Sequence, residues 1–261
     1  MKQRALKCGI YCAVMFLLML VTMSPAAKGQ ANVKGQWTTL PYLMPINPVH
    51  QALLNNGKVL VVSGSGNVAT NTNLRVAVWD PIAGTITVQT VAWDMFCNGM
   101  VVLPDGRPFI NGGTLQYDPF HGELKSSVFD PATNTFTDVQ NMAHGRWYPT
   151  LTTLGDGRVM TFSGIDETGV TNNAVEIYTV GTGWTSQYTA NWTPPTYPRM
   201  HLLPNGKVFY SGPSVTSRLF DLRSECSSPV RSSFGNEDRA RPWLDALRAL
   251  SRPLRGPEEH E

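Results

Sequence analysis

The most regular part of the chain is the segment Phe96-Cys97-Asn98-Gly99-Met100-Val101-Val102-Leu103-Pro104-Asp105-Gly106-Arg107, because three other segments repeat its pattern. Each of the four ends in Asn/Asp-Gly-Lys/Arg, a two-residue turn of the kind that closes a β-hairpin. The turn glycines are 49, 51 and 49 residues apart: Gly57, Gly106, Gly157 and Gly206. Four such turns at nearly equal spacing predict four copies of one hairpin-containing unit.

The repeat length indicates the fold class. A period of about 50 residues with one hairpin per unit is typical of a kelch-type β-propeller, in which each repeat forms a four-stranded blade. The third-strand segments hold equivalent aromatic residues that we expect to pack between blades: Trp79, Phe129, Tyr178 and Phe220. We predict an all-β, incomplete kelch-type propeller of about three and a half blades over residues 31–221. Residues 36–40 are expected to add an outer strand.

Residues 1–30 have the pattern of a secretory signal peptide. Lys2, Arg4 and Lys7 precede an apolar run, and small residues follow it up to Ala31. The alternative is an uncleaved membrane anchor, but the run of about 15 residues is shorter than the ~20 needed to span a bilayer. The sequence therefore predicts a secreted, extracellular or periplasmic protein without a stable membrane span.

Residues 222–261 differ in composition from the repeats. They contain seven Arg, seven acidic residues and no Lys, and no further turn repeat. Residues 243–250 could form a short amphipathic helix, and the rest has the composition of a disordered segment. This break in mid-blade suggests a tail that was not selected with the propeller, and a frame change in the gene would produce it.

Charge argues against one class of partner. Residues 32–221 carry ten basic and twelve acidic side chains, so the propeller is slightly acidic. Nucleic-acid binding needs a basic surface, and no partner of that kind is expected. Cys97 and Cys226 are the only cysteines beyond the predicted signal peptide, which is too few for a disulfide framework.

One position in each repeat indicates a candidate reactive site. Counting nine residues back from each turn glycine gives Pro48, Cys97, Tyr148 and Tyr197. Because the first strand of a blade lines the central axis, these positions should converge at one mouth of the channel. A thiol beside a phenol can be joined oxidatively into a thioether. The alternative is a buried Cys and a packed Tyr, both ordinary core residues.

The segments around this pair resemble a known family. Residues 94–99, followed one repeat later by residues 145–150, are similar to the radical-copper oxidases, galactose oxidase and glyoxal oxidase; residues 111–114 fit the same family. The resemblance implies that Cys97 and Tyr148 are cross-linked, that Tyr148 binds copper, and that its radical stores an oxidising equivalent. It also implies oxidation of an alcohol or aldehyde by O₂ with release of H₂O₂.

The chain departs from the family pattern at the metal ligands. The family uses a second Tyr directly followed by His and a further His, whereas this sequence has no Tyr-His pair; Thr196-Tyr197 occupies the aligned place. A copper oxidase needs several nitrogen and oxygen ligands. We therefore expect the amino-terminal half of such an enzyme, with no metal-ligand set, no assembled copper or thioether radical, and no activity.

Three functional classes remain open. The first is a radical-copper oxidoreductase with a carbohydrate or a small alcohol or aldehyde as substrate. The second is a non-catalytic secreted kelch module that binds glycan or protein, and the third is a nonfunctional truncation product. An open blade edge also predicts self-association, because unpaired strand edges are templates for pairing.

Overall fold

The computed structural model describes residues 35, 37–221 and 226–230. The regular structure in these residues consists of four sheets of four antiparallel strands and one small separate hairpin. In chain order the strands are β1 (His50–Leu53), β2 (Val59–Gly64), β3 (Arg75–Asp80), β4 (Thr85–Thr90), β5 (Gly99–Val102), β6 (Pro108–Asn111), β7 (Thr114–Gln116), β8 (His121–Gly122), β9 (Ser126–Asp130), β10 (Thr135–Asp138), β11 (Thr150–Thr153), β12 (Val159–Phe162), β13 (Ala174–Thr179), β14 (Gly183–Thr189), β15 (Met200–Leu202), β16 (Val208–Tyr210), β17 (Ser217–Asp221) and β18 (Cys226–Val230).

The sheets are the blades of a propeller. Blades 1, 3 and 4 pair their strands in chain order: β1 to β4, β11 to β14 and β15 to β18. Blade 2 contains β5, β6, β9 and β10, and the hairpin of β7 and β8 lies between its second and third strands. The first strand of each blade lies beside the first strand of the next. The predicted all-β propeller class is confirmed.

The core lies between adjacent blades, as the aromatic pattern predicted. Phe129 is fully buried against residues of blade 1, and burying such a side chain contributes about 1.5–3 kcal/mol. Tyr178 of blade 3 stacks on Phe109 of blade 2 with ring centroids 4.3 Å apart. Phe220 of blade 4 packs into a cluster with blade 3. Trp79 of blade 1 is half-buried.

The repeated turns close hairpins, but with a longer loop than predicted. In the first repeat the Gly57 amide donates to the Leu54 carbonyl (3.0 Å), and the Leu54 amide donates to the Lys58 carbonyl (2.8 Å). The other three repeats have the same two bonds. This is a three-residue loop in which the glycine takes the left-handed conformation, with φ of 80° at Gly57. The Asn56 side chain caps the loop by accepting from the Lys58 amide.

Two boundaries differ from the sequence prediction. Residues 37–40 form no strand, and Trp37 is fully exposed, because these residues have no partner ladder. β18 pairs antiparallel with β17, so blade 4 has four strands and the propeller extends past the expected boundary at Asp221. The sequence did not predict this strand because it contains Pro229, and Pro is accepted in sheets mainly on edge strands.

Two further predictions fall outside the residues that the structure describes, and a third, on membrane spans, can be compared only within them. The signal peptide at residues 1–30 and the short helix at residues 243–250 lie outside them. Within the part of the chain that the structure describes, no helix is long and apolar enough to cross a membrane. Residues 44–230 belong to the compact unit that contains all four blades, and residues 37–43 belong to a separate unit.

Candidate active site

Three of the four positions nine residues before the turn glycines share an uncommon backbone conformation. Cys97, Tyr148 and Tyr197 have φ of 61°, 66° and 46°, in the left-handed region that residues with a Cβ seldom adopt. The Tyr148 amide donates to the Cys97 carbonyl (3.0 Å), and the Tyr197 amide donates to the Tyr148 carbonyl (2.9 Å). These bonds between blades hold the three residues at one level of the axis. Backbone strain of this kind clusters at functional sites.

Cys97 is a buried free thiol, with 2% of its surface exposed. It lies in an apolar cluster with Phe96 and Trp147. Its sulfur makes hydrogen-bonding contacts with the hydroxyls of Tyr148 and Tyr197. Burial raises the pKa of the Cys97 thiol to about 12, so the group is a protonated thiol at neutral pH. The structure thus brings together the two residues that the sequence singled out.

The ring of Tyr148 is enclosed on both faces. Trp147 stacks on one side with centroids 3.7 Å apart and an interplanar angle of 9°. Tyr197 stacks on the other side at 4.4 Å and 20°. Burial, followed by the hydrogen bond with Cys97, raises the pKa of Tyr148 to about 12. The phenol is therefore neutral at neutral pH, and its ring is held in a sandwich that restricts access of water.

Sequence reasoning placed Tyr197 at the same level of the axis as Cys97 and Tyr148, but it assigned a role neither to Tyr197 nor to His50. The Nε2 atom of His50, on β1, lies 3.0 Å from the Tyr197 hydroxyl, which donates to the carbonyl oxygen of Asn98 (3.0 Å). Burial lowers the pKa of His50 to about 4 and raises the pKa of Tyr197. The register of Tyr197, which equals that of Cys97 and Tyr148, predicted its position but not its contacts.

A buried ion pair supports the loop that carries Trp147 and Tyr148. The Arg146 guanidinium is fully buried and lies 2.9 Å from the carboxylate of Glu176. It also donates to the carbonyls of Ser163 and Ala174, both at 2.8 Å. Because a buried charge is stable only when it is paired and hydrogen-bonded, these contacts of the two terminal nitrogens fix the position of the loop.

The glycines of the Asn111-Gly112-Gly113-Thr114 segment allow the backbones of two site loops to meet. The Gly113 amide donates to the Arg146 carbonyl (2.9 Å). The Thr114 hydroxyl donates to the Phe96 carbonyl (3.0 Å). A Cβ on Gly112 would lie 2.2 Å from the carbonyl oxygen of Arg146. The segment therefore ties the Cys97 loop to the Tyr148 loop.

The other described histidines lie in different surroundings. His121 contacts the backbone carbonyl of Glu167 through Nδ1 (2.8 Å), and His144 pairs with the Glu167 carboxylate at 3.4 Å. His201 is exposed on β15 and contacts Ser211. Over residues 35, 37–221 and 226–230, no three His, Cys, Asp or Glu side chains are grouped to hold a metal ion.

Comparisons with curated proteins support the family resemblance. Galactose oxidase of Gibberella zeae is 28% identical over 173 residues, which cover 63% of this chain and 22% of the relative. The kelch-like protein terF of Aspergillus terreus is 30% identical over 129 residues, which cover 45% of this chain and 28% of the relative. The chain thus spans about a quarter of the length of these relatives. No family model matches the sequence.

A solved structure agrees in fold. A fungal alcohol oxidase of the AA5 family, determined in complex with copper, superposes with a TM-score of 0.61 at 22% identity, covering 77% of this chain and 45% of that one. The chain is similar in sequence to galactose oxidase and in fold to this alcohol oxidase. The predicted resemblance is confirmed over the propeller, and copper is the metal of this structural neighbour.

The donor chemistry of the site is compatible with copper. Two phenols, of Tyr148 and Tyr197, and the imidazole of His50 lie around the Cys97 thiol. Imidazole, phenolate oxygen and thiolate are all groups that bind copper in proteins. These four groups come from four different blades. The set differs from the Tyr-His arrangement of the family, which the sequence lacks.

Proposed function

We propose that this chain carries the Cys–Tyr redox pair of a radical copper oxidase, formed by Cys97 and Tyr148. The observation that supports it is the contact between the buried thiol of Cys97 and the hydroxyl end of Tyr148 on adjacent blades. The parent reaction is the oxidation of an alcohol or aldehyde by O₂. Similarity to galactose oxidase over 63% of the chain supports the same class of chemistry.

The covalent step balances with O₂ as the oxidant. The S–H bond of Cys97 and a ring C–H bond of Tyr148 next to the hydroxyl are lost, and a C–S bond forms. Two protons and two electrons leave the pair and reduce O₂ to H₂O₂. Oxidation of a primary alcohol to an aldehyde releases the same number of protons and electrons. Bound copper would supply the one-electron transfers that connect these groups to O₂.

The surrounding residues prepare the pair for this chemistry. The Trp147 and Tyr197 rings cover both faces of Tyr148, which leaves the ring edge as the accessible place for attack by sulfur. Burial keeps the Cys97 thiol protonated at neutral pH and thus slows its unspecific oxidation, since the thiolate is the reactive form. The proton must therefore leave together with the electron when the pair is oxidised.

We further propose that turnover by this chain is undetectable. The sequence contains no Tyr-His pair, and the family draws two of its copper ligands from that pair. Cross-linking should accordingly be slow and partial. We also propose that the chain is secreted, on the basis of the charged, apolar and small-residue pattern of residues 1–30. A small alcohol or aldehyde is the substrate class that the parent chemistry implies.

The test is a peptide map after incubation of the full chain with Cu(II) in air. We expect a peptide linking Cys97 to Tyr148 that is lighter by two hydrogens than the sum of its parts. Cys97→Ser and Tyr148→Phe should abolish it, whereas the control Tyr178→Phe should retain it. Absence of any linked peptide, or its persistence in Tyr148→Phe, contradicts the proposed pair. Peroxide release with primary alcohols or aldehydes that depends on both residues contradicts the proposed inactivity.

A further inference from the structure

Adjacent blades of this chain meet through one recurring apolar contact. The residue three positions after each turn glycine pairs with a third-strand residue, and both side chains lie on one face of the sheet. In blades 1 to 3 the two residues of each pair are buried: Leu60 with Val78, Phe109 with Val128, and Met160 with Ile177. In all three cases the cover comes from apolar side chains of the next blade.

The equivalent pair in blade 4 is less well covered. Phe209 and Leu219 lie opposite each other on β16 and β17, and both are only half-buried. Within the residues that the structure describes, no further blade follows blade 4. The outward face of blade 4 therefore has the residues of a blade-to-blade contact and lacks the blade that would complete it.

Blade 1 has the opposite half of the same contact. In the later blades an aromatic third-strand residue is buried against the preceding blade: Phe129, Tyr178 and Phe220. Trp79 holds the same position in blade 1, where it is only half-buried. Ile86 lies opposite Trp79 on β4, and Val88 lies on the same face two residues further.

The segment before blade 1 covers this face in part. Met44 and Ile46 pack against Val61 and Ala77 on the two middle strands of the blade. Val88 on the outer strand is nevertheless 39% exposed. The first and last blades thus both present apolar sheet faces that neighbouring blades bury elsewhere in the chain.

We propose that blade 1 of a second copy of this chain docks on blade 4, so that the copies join head to tail. The contact repeats one that the chain already makes, because Tyr178 of blade 3 stacks on Phe109 of blade 2 at 4.3 Å. Phe209 holds the position of Phe109 in its repeat, and Trp79 of the second copy takes the place of Tyr178. Sheet faces make this contact, and it is independent of the Cys97–Tyr148 chemistry.

The number of blades favours a closed dimer. Each copy contributes four blades, so two reciprocal contacts give a ring of eight, within the four to eight blades that propellers typically contain. Head-to-tail contacts form rings when the rotation between copies closes. In such a ring both outward faces of both copies are buried.

The experiment measures association of the full chain by sedimentation over a range of concentrations, and we expect a dimer. Trp79→Lys and Leu219→Lys should each weaken association by about tenfold or more, since a few buried anchor residues carry most of the energy of an interface. Val88→Lys changes a more exposed position of the blade 1 face and is a second variant if Trp79→Lys does not fold. The control Val180→Lys, in an exposed turn of blade 3, should associate like the wild-type chain.

Mixing the two face variants tests the head-to-tail arrangement. The Trp79→Lys chain keeps an intact blade 4 face, and the Leu219→Lys chain keeps an intact blade 1 face. An equimolar mixture should therefore form a dimer that neither variant forms alone, with unchanged circular dichroism in both. A mixture that stays monomeric overturns the proposal, because a contact of blade 4 with blade 4 is not restored by mixing. A wild-type chain that is monomeric at all concentrations, or equal association in the variants and the control, overturns it as well.

Discussion

The amide of Tyr148 donates a hydrogen bond to the carbonyl of Cys97 at 3.0 Å, although the residues are 51 positions apart and belong to different blades. The Tyr197 amide makes the same bond to Tyr148 at 2.9 Å. These bonds lie at the start of the inner strands, where each blade contacts its neighbour. The relative position of thiol and phenol is therefore a property of blade packing. In repeat proteins such packing is set by nearest neighbours.

Replacing Gly112 with Ala should destabilise the chain more than replacing Gly206. Both glycines have positive φ, 65° and 80°, which costs a residue with a Cβ about 1–2 kcal/mol. Only at Gly112 would the Cβ also meet backbone, 2.2 Å from the Arg146 carbonyl, whereas nothing lies within 4 Å at Gly206. Urea unfolding of both variants measures the difference. Equal losses of unfolding free energy in the two variants would show that the loops of Gly112 and Arg146 can move apart without an energetic cost.

Arg146→Met should lower the free energy of unfolding by about 3–5 kcal/mol, because it leaves the buried carboxylate of Glu176 without its partner. Arg158→Met is the control, since Arg158 pairs with Asp156 at the surface, where such pairs contribute about 0–1 kcal/mol. The double variant Arg146→Met, Glu176→Met should recover part of the loss. A small effect of Arg146→Met would mean that the loop before Tyr148 does not depend on this ion pair.

The metal-free chain should lose stability as the pH rises from about 9 to 12. The pKa of the Cys97 thiol is raised by burial from 9.0 to about 12, so the unfolded chain gives up this proton first. Protons bound to the folded state but not to the unfolded state make the free energy of unfolding fall with pH in that window. In Cys97→Ala the decline should be shallower. The free energy of unfolding is measured by urea titration in the presence of a chelator. If it falls equally with pH in the wild-type chain and in Cys97→Ala, the raised pKa of Cys97 is contradicted.

Copies of the chain should associate through blade 4. Leu202, at the end of the inner strand β15, is 37% exposed, and the neighbouring His201 is exposed as well. β15 is an edge strand of its sheet, and an exposed strand edge is a template for pairing with another chain. Sedimentation should show association that increases with concentration and that weakens in Leu202→Lys. Ile82→Lys, in the exposed turn before β4, is the control. A monomer at all concentrations would refute this prediction.

The secreted protein should begin near residues 27–31, after removal of the signal peptide. Small residues at Ala27, Gly29 and Ala31 provide the positions that signal peptidase recognises. Mass spectrometry of the amino terminus in secreted material checks the position of cleavage. Recovery of a chain with intact Met1 from the cytoplasm would exclude export.

Several elements of the site could be predicted because their signals are local. The Asx-Gly turns, the period of about 50 residues and the shared offset of Cys97 and Tyr148 all follow from short-range patterns. Once the repeat is recognised, equal offsets imply equal heights on neighbouring blades. β18 was missed because its residues include Pro229 and lack the alternation of an ordinary strand.

The sequence by itself determined the class of fold, the number of hairpin units and the pairing of thiol with phenol, since turn chemistry and periodicity act over a few residues. Only the tertiary structure decided that His50 meets Tyr197 and that Arg146 is buried against Glu176. These contacts depend on side-chain direction and on how closely one blade approaches the next. No spacing in the chain encodes that approach, because it results from packing among residues up to 147 positions apart.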